Sequence, residues 1–330
     1  MRSQVAGLTA LSVLDVPTFG RSAGLGFDFV AISDNDLCVM LDNPSLITPR
    51  VSEQLSLGYV SMFGSYNFIT AAYGHSFGRY GSMTFGLRYA GYGTMQGFDE
   101  YEQTTGSFTA NDILLQVGWG VAMDDHVSFG VNCKPILSQY ENYTALALAF
   151  DVAGSYVSRD KRFALTLMGR NIGAQLLTFD GTAETLPFHL DLSGSYRLKE
   201  APLCLFFRYG DMQRWQLKYE DPLNPTTTTD AFTGEVTTQS GTERFFDNLG
   251  RHLGAGVEIT IREVVFLRVG YNYRQSVEMT GVDAINGSGF SFGFGVRVKG
   301  FEFSYSRNNY NQWQAPNYLT LSADLSRFFK

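Results

Sequence analysis

Phe290-Ser291-Phe292-Gly293-Phe294-Gly295-Val296-Arg297-Val298-Lys299 alternates bulky apolar residues with small or charged ones from end to end. Successive side chains of a β-strand point to opposite faces, so the phenylalanines and valines share one side while Ser291, Gly293, Gly295, Arg297 and Lys299 share the other. One face suits hydrocarbon, the other a polar interior. The pattern continues outward: Phe301, Phe303 and Tyr305 alternate with Glu302, Ser304 and Ser306, and Leu319, Leu321, Ala323 and Leu325 with Thr320, Ser322 and Asp324. Stretches of about ten residues with this period mark transmembrane β-strands. In this register an arginine at Phe292 or Leu321 would face lipid and cost about 2–4 kcal/mol. At Ser291 or Ser322 it would face inward and be much milder.

The same period predicts strands near 51–63, 66–77, 80–92, 109–122, 125–141, 143–158, 162–172, 186–199, 201–217, 249–261, 263–277, 288–299, 300–309 and 316–329. They make an all-β fold, a closed antiparallel transmembrane β-barrel of about 14 strands, an even number as bacterial barrels require. Residues 1–50 lack the period. Ala6 to Leu14 reads as a short helix before Pro17, followed by a glycine-broken run from Gly20 to Gly26. The chain therefore divides into an N-terminal plug over 1–50 and a barrel over 51–330. Connections after even strands are tight and charged, whereas those at 93–108, 173–185, 218–248, 278–287 and 308–315 are long. Short turns belong to the periplasmic side and long loops to the cell surface, which puts both termini in the periplasm.

Composition agrees in an indirect way. With 17% charged residues and a mean hydropathy of -0.08, no run approaches the roughly 18 apolar residues of a membrane helix, so any spanning falls to a closed barrel. The 35 glycines fit small inward-facing positions and the 15% aromatics fit the lipid interfaces. A net charge of -7 speaks against a nucleic-acid partner, whose footprint would be basic. Cys38, Cys133 and Cys204 are odd in number and lack metal-like spacing, so free, buried thiols are expected, with Cys133 on the lipid side and Cys204 inside. No hydrophobic export segment precedes Gln4, so a signal peptide is expected to have been removed.

No reaction chemistry stands out. His75, His126, His189 and His252 are scattered, and no G-x-S-x-G elbow occurs. Asp34-Asn35-Asp36 resembles the start of a calcium loop but lacks the later ligands, and a turn or surface contact is the better reading. The chain reads as a non-enzyme, with no catalytic, metal or cofactor residues. The inward face carries Arg88, Asp151, Asp191, Arg197, Arg208, Glu258, Arg268, Arg274 and Arg297. Unpaired charge is costly away from water, so these are expected to grip the plug. Partner-contact candidates by loop position and side-chain type are Phe98, Tyr101, Phe179, Tyr219, Phe232 and Trp313, the threonine-rich stretch 218–248 being the first candidate surface. Trp215 is expected to fix barrel height at the interface.

Asp42-Asn43-Pro44-Ser45-Leu46, just before the first strand, resembles the Asn-Pro-Ala element in the plug of the FadL-type barrel family, with serine in place of the usual alanine. Asn43 and Pro44 are the plug landmarks that the resemblance supplies. Five further stretches resemble, in order, the PorQ-type branch found in the type IX secretion system of Bacteroidetes. They are Val13-Leu14-Asp15-Val16-Pro17, Arg21-Ser22-Ala23-Gly24-Leu25-Gly26, Arg170-Asn171-Ile172-Gly173-Ala174-Gln175-Leu176, Leu186-Pro187-Phe188 and Gln213-Arg214-Trp215. The resemblance implies an outer-membrane component of the attachment complex that anchors a surface protein resembling PorZ, beside other members of the complex, for cargo processing and linkage to anionic lipopolysaccharide. The alternative within the wider family is a FadL-like channel for hydrophobic small molecules. A third possibility, a soluble β protein, would turn the apolar stripes inward.

Overall fold

The computed structural model describes residues 11–62, 64–218, 227–229, 236–238, 241–279, 287–310 and 315–328. Where the two-residue period holds, the chain forms strands: β1 (Gln54–Ser61), β2 (Asn67–Ser76), β3 (Ser82–Phe98), β4 (Thr104–Ala122), β5 (Val127–Tyr140), β6 (Tyr143–Val157), β7 (Phe163–Leu177), β8 (His189–Arg197) and β9 (Leu203–Tyr209). After a small detached ladder, β10 (Thr227–Thr229) with β11 (Val236–Thr238), the wall resumes with β12 (Leu253–Ile261), β13 (Val265–Asn272), β14 (Phe290–Val298), β15 (Phe301–Asn308) and β16 (Asn317–Asp324). Each wall strand pairs antiparallel with its neighbours in sequence, and β1 pairs with β16 from Gln54↔Asp324 to Ser61↔Asn317, closing a fourteen-stranded barrel. Closure leaves no unpaired edge, which lets a sheet live in hydrocarbon. Among the described residues no helix is long and apolar enough to cross a membrane.

The alternation has the predicted sense. Phe290, Phe292, Phe294, Phe301, Phe303, Leu319 and Leu321 are all exposed on the outside, as are Leu57, Ile69, Leu87 and Leu115 on other strands, while their sequence neighbours Ser291, Ser304 and Thr320 are buried inside. The soluble alternative, with inward apolar stripes, is thereby overturned.

Several boundaries differ from expectation, each for a local reason. The predicted loop 93–108 is mostly ladder: β3 and β4 stay paired to Phe98↔Thr104 past a bulge after Gly91. This ribbon rises beyond the apolar band with polar residues on both faces, so it carries no hydrophobic period. β9 stops at Tyr209 rather than 217, because Asp211 adopts φ +56° and turns the chain. β13 gives way at Tyr273 to helix α4 (Tyr273–Met279), taking Arg274 out of the wall, and the end of the predicted loop 218–248 is helix α3 (Gly241–Arg251). β16 ends at Asp324, and Leu325–Arg327 form a 3-10 turn, so Leu325 leaves the apolar stripe.

Residues 11–53 lie inside the ring of strands. They contain helix α1 (Gly20–Gly24), where a broken run was expected, helix α2 (Leu37–Asp42), and 3-10 turns at Ser12–Asp15, Pro44–Leu46 and Pro49–Val51. Asp36 caps α2 by accepting the Cys38 backbone N–H at 2.9 Å. Phe19, Leu37, Cys38, Met40, Leu41, Ile47 and Val51 pack together against Ala72 of the wall, and Leu25, Phe27, Val30, Ile32, Val39 and Leu46 against Cys204 and Phe206. The apolar core is thus shared: the inner segment packs against inward wall residues that include Val60, Phe68, Leu114, Ile136 and Met168, and inward glycines and alanines give it room. Cys38 and Cys204 are buried as expected, Cys133 is only half-buried, and all three are free.

Candidate functional site

The inner segment meets the wall through two contrasting contacts. At the first, Arg21 of α1 donates from Nη2 and Nε to the two carboxylate oxygens of Glu258 at 2.8 and 3.1 Å. The same guanidinium pairs with Asp34 at 2.6 Å and Asp36 at 3.0 Å. Glu258 also accepts from Arg268 Nε at 2.7 Å, and Arg268 Nη1 donates to Ser304 at 2.8 Å. Arg21, Glu258 and Arg268 are all buried. Planar guanidinium forks matched to a bidentate carboxylate are what make burying such charge tolerable.

The second contact is neutral and steric. Asn43 Nδ2 donates to Thr166 Oγ1 at 3.0 Å, Ser45 Oγ donates to Asn43 Oδ1 at 2.7 Å, and the Ser45 and Ser155 hydroxyls lie 2.6 Å apart. Pro44 lies so close to the wall that a Cβ on Gly130 would run into its carbonyl, and one on Gly120 would sit 2.5 Å from its carbonyl oxygen. Glycine at these two positions is therefore a requirement of close approach. Asn43 and Pro44 sit at the centre of this contact.

Further charges tie the segment to other strands. Arg88 donates to the Val13 and Val16 carbonyls at 3.0 Å each and to the Thr18 hydroxyl. Arg170 and Arg208 share Asp28 at 2.9 and 3.0 Å and Asp191 at 3.0 and 3.2 Å. Asp151 instead stays within the wall, paired with Lys134 at 2.6 Å. The expectation that inward charges hold the inner segment is met at Arg88, Arg208 and Glu258, whereas Asp191 and Arg268, like Asp151, pair only with wall residues and brace the groups that do. Arg197 and Arg297 lie exposed at the short-turn mouth, and Arg274 belongs to α4. The Asp34-Asn35-Asp36 stretch, expected to be a turn or surface contact, instead meets Arg21 inside the barrel. Among the described residues there is no cluster that would hold a metal ion.

These contacts separate two chambers. The one at the long-loop end, about 290 Å³, is lined by Asp15, Asp28, His189, Arg208, Asp211, Arg251 and Arg274 among others. His189 bridges two acids there, with Nδ1 2.6 Å from Asp211 and Nε2 3.1 Å from Asp15, and Arg274 adds a 2.8 Å pair to Asp211. Burial would raise the Asp211 carboxyl, but the His189 hydrogen bond and the charges of His189, Arg208 and Arg274 hold it well below the usual carboxylate range. Sequence reading missed this cluster because its members lie on the inner segment, the start of β8, a turn and α4. The chamber at the opposite mouth is larger, about 610 Å³.

At the long-loop rim, Trp215 lies 5.3 Å from Phe245 and 5.7 Å from His252 between ring centroids, bordering a groove of about 350 Å³. Phe98 and Tyr101 are exposed at the tip of the β3–β4 ribbon. Phe179 is half-buried and stacks on Tyr140 at 4.9 Å. Tyr219, Phe232 and Trp313 lie outside the described residues.

No family model matches the sequence, and no curated protein does. Solved structures do. The Ralstonia pickettii toluene transporter TbuX is similar at 10% identity and a TM-score of 0.52, over 93% of this chain and 98% of that one. The Pseudomonas putida toluene transporter TodX gives 10% identity and 0.54 over 95% and 98%. The CymD monoaromatic hydrocarbon channel gives 10% and 0.50 over 95% and 97%. At this identity the likeness shows a shared barrel fold, spanning nearly the whole of each chain.

Proposed function

We propose that this chain is an outer-membrane barrel of FadL-like architecture that works as a non-enzymatic scaffold, its inner segment acting as a plug and its long-loop rim facing outward to hold a surface protein. The observation that carries the proposal is the lining of the chamber beneath that rim. Asp15, Asp28, His189, Arg208, Asp211, Arg251 and Arg274 make a charged vestibule. Binding sites for apolar molecules are lined mainly by hydrophobic side chains. Phe98, Tyr101 and Trp215 offer exposed aromatics of the kind enriched at protein interfaces. With the sequence stretches described above, this supports a PorQ-type role in a type IX attachment complex, with a PorZ-like partner and lipopolysaccharide nearby. The orientation follows the rule of short periplasmic turns and long outer loops, with both termini periplasmic.

A second reading has its own support. A FadL-like channel for hydrophobic small molecules accords better with the toluene transporters and hydrocarbon channel among the similar folds, and the groove beside Trp215 and Phe245 is its natural point of capture. One experiment separates the two: gentle detergent extraction of the native membrane, affinity purification of the barrel, and mass spectrometry of what stays bound. A stoichiometric surface protein, lost when 218–248 is trimmed, is the expected result. Barrel alone with retained hydrophobic small molecules would replace the scaffold with the channel.

A further inference from the structure

The mouth at the short-turn end carries a charge pattern opposite to that of the chain as a whole. The net charge is -7, yet Arg50, Lys161, Arg197, Arg262 and Arg297 converge on the 610 Å³ chamber there. Arg297 is paired with Glu302 at 2.6 Å. Among the described residues Arg50, Lys161, Arg197 and Arg262 have no ion-pair partner, and all four are exposed. Of the three acids lining the chamber, Asp34 is taken by Arg21, and Glu258 by Arg21 and Arg268, which leaves Glu263.

The four free cations come from separate elements: the 3-10 turn Pro49–Val51, the β6–β7 turn, the end of β8 and the β12–β13 turn. Their convergence is therefore a product of the closed topology. Two of them also sit on unfavourable backbone. Lys161 has φ +56°, and Arg262 and Glu263, side by side in their turn, have φ +52° and +56°. Such turns favour Asn or Gly, so long charged side chains there carry a conformational cost. Like charges gathered with a single acid also repel one another in the absence of a counter-charge.

We infer that this mouth is a binding site for an oxyanion bearing phosphate, small enough to enter the chamber. Guanidinium forks recognise phosphate oxygens bidentately, and the volume falls in the range of small-molecule sites, about 300–1,000 Å³. The site is independent of what the opposite rim does. Phosphate of this kind has two sources, a free phosphorylated solute or a phospholipid headgroup at the rim of the barrel.

The test uses the full-length barrel and two probes. Inorganic pyrophosphate is titrated calorimetrically into the detergent-solubilised protein at low and high salt. In parallel, the barrel is reconstituted in nanodiscs with or without phosphatidylglycerol, and protection of Lys161 from amine acylation is read by mass spectrometry. Both are repeated with Arg197→Gln/Arg262→Gln, and with Arg79→Gln, an exposed turn arginine outside the chamber, as control. Retained heat-modifiable migration in gels confirms that each variant is folded. Saturable, salt-weakened pyrophosphate binding that falls at least tenfold in the double variant and not in the control supports the site with a free solute. Protection that depends on phosphatidylglycerol and is lost in the double variant supports it with a headgroup. Neither response, or equal responses in the double variant and the control, overturns the inference.

Discussion

The two faces of the barrel wall obey different rules although they alternate residue by residue along the same strands. Outside, Phe292, Phe294 and Leu321 need only be apolar, since they meet a fluid with no fixed shape. Inside, Glu258 needs two guanidiniums, Gly130 needs to lack a side chain beside Pro44, and Thr166 must accept from Asn43. The outer face is specified by a class of residue, the inner face by individual partners. A barrel filled by its own chain thus combines the solvation of a membrane protein with the packing of a soluble core.

The largest expected effect lies inside. Glu258→Ala leaves Arg21 and Arg268 without their shared carboxylate and is expected to destabilise the barrel by about 3–5 kcal/mol, read from urea unfolding in lipid vesicles. A loss under about 1 kcal/mol would mean that water enters freely and the inner face is no more specific than the outer. Outside, Phe292→Arg should cost at most about 2–4 kcal/mol in the same assay, since Phe292 pairs with the exposed Arg307 and so lies towards the edge of the apolar band. Its neighbour sharpens the contrast. Ser291 was expected to accept arginine mildly, but it is buried against the inner segment near Gly26, so Ser291→Arg should be no milder than Phe292→Arg. The milder expectation is retained for Ser322, which is only half-buried near the mouth.

Next comes a comparison between glycines. Gly130→Ala should cost about 1–3 kcal/mol by overpacking against Pro44. Gly154→Ala meets only the outward Phe129 ring, 3.2 Å away at its nearest, and should stay within about 0.5 kcal/mol. Equal thermal shifts for the two would show that the inner segment yields easily. The smallest change in stability is expected at the rim, where Phe98→Ala with Tyr101→Ala should leave unfolding within about 0.5 kcal/mol, while the scaffold role proposed above requires it to reduce capture of the proposed surface partner.

Legibility in the sequence follows the same division. The period of Phe290–Lys299 and its counterparts places all fourteen wall strands, because lipid enforces one simple pattern on every outward position. Where lipid is absent the signal fades: the β3–β4 ribbon, α3 and α4 all lie beyond the apolar band and were read as loop or misplaced strand. The inward charges were visible as a set, and the cost of burying them anticipated that Arg88, Arg208 and Glu258 hold the inner segment, though not that Asp151, Asp191 and Arg268 pair within the wall. Their pairings were not visible. Arg21 meets Glu258 across 237 positions of chain, a distance over which no local pattern carries information. The rim candidates stand differently, since Phe98 and Tyr101 are exposed while Phe179 is partly covered by its stack on Tyr140.

The pairing of β1 with β16 also bears on the order in which the molecule assembles. Residues 11–53 are fastened to β3, β5, β7 and β12 from within, and they leave the ribosome before any strand of the wall. A segment so held cannot be drawn through either mouth after the first and last strands have joined without breaking those fastenings. The seam between β1 and β16 is therefore expected to form last, around a centre already in place. The inner segment is then a mandrel on which the sheet is wound, inside a circumference set by the fourteen strands.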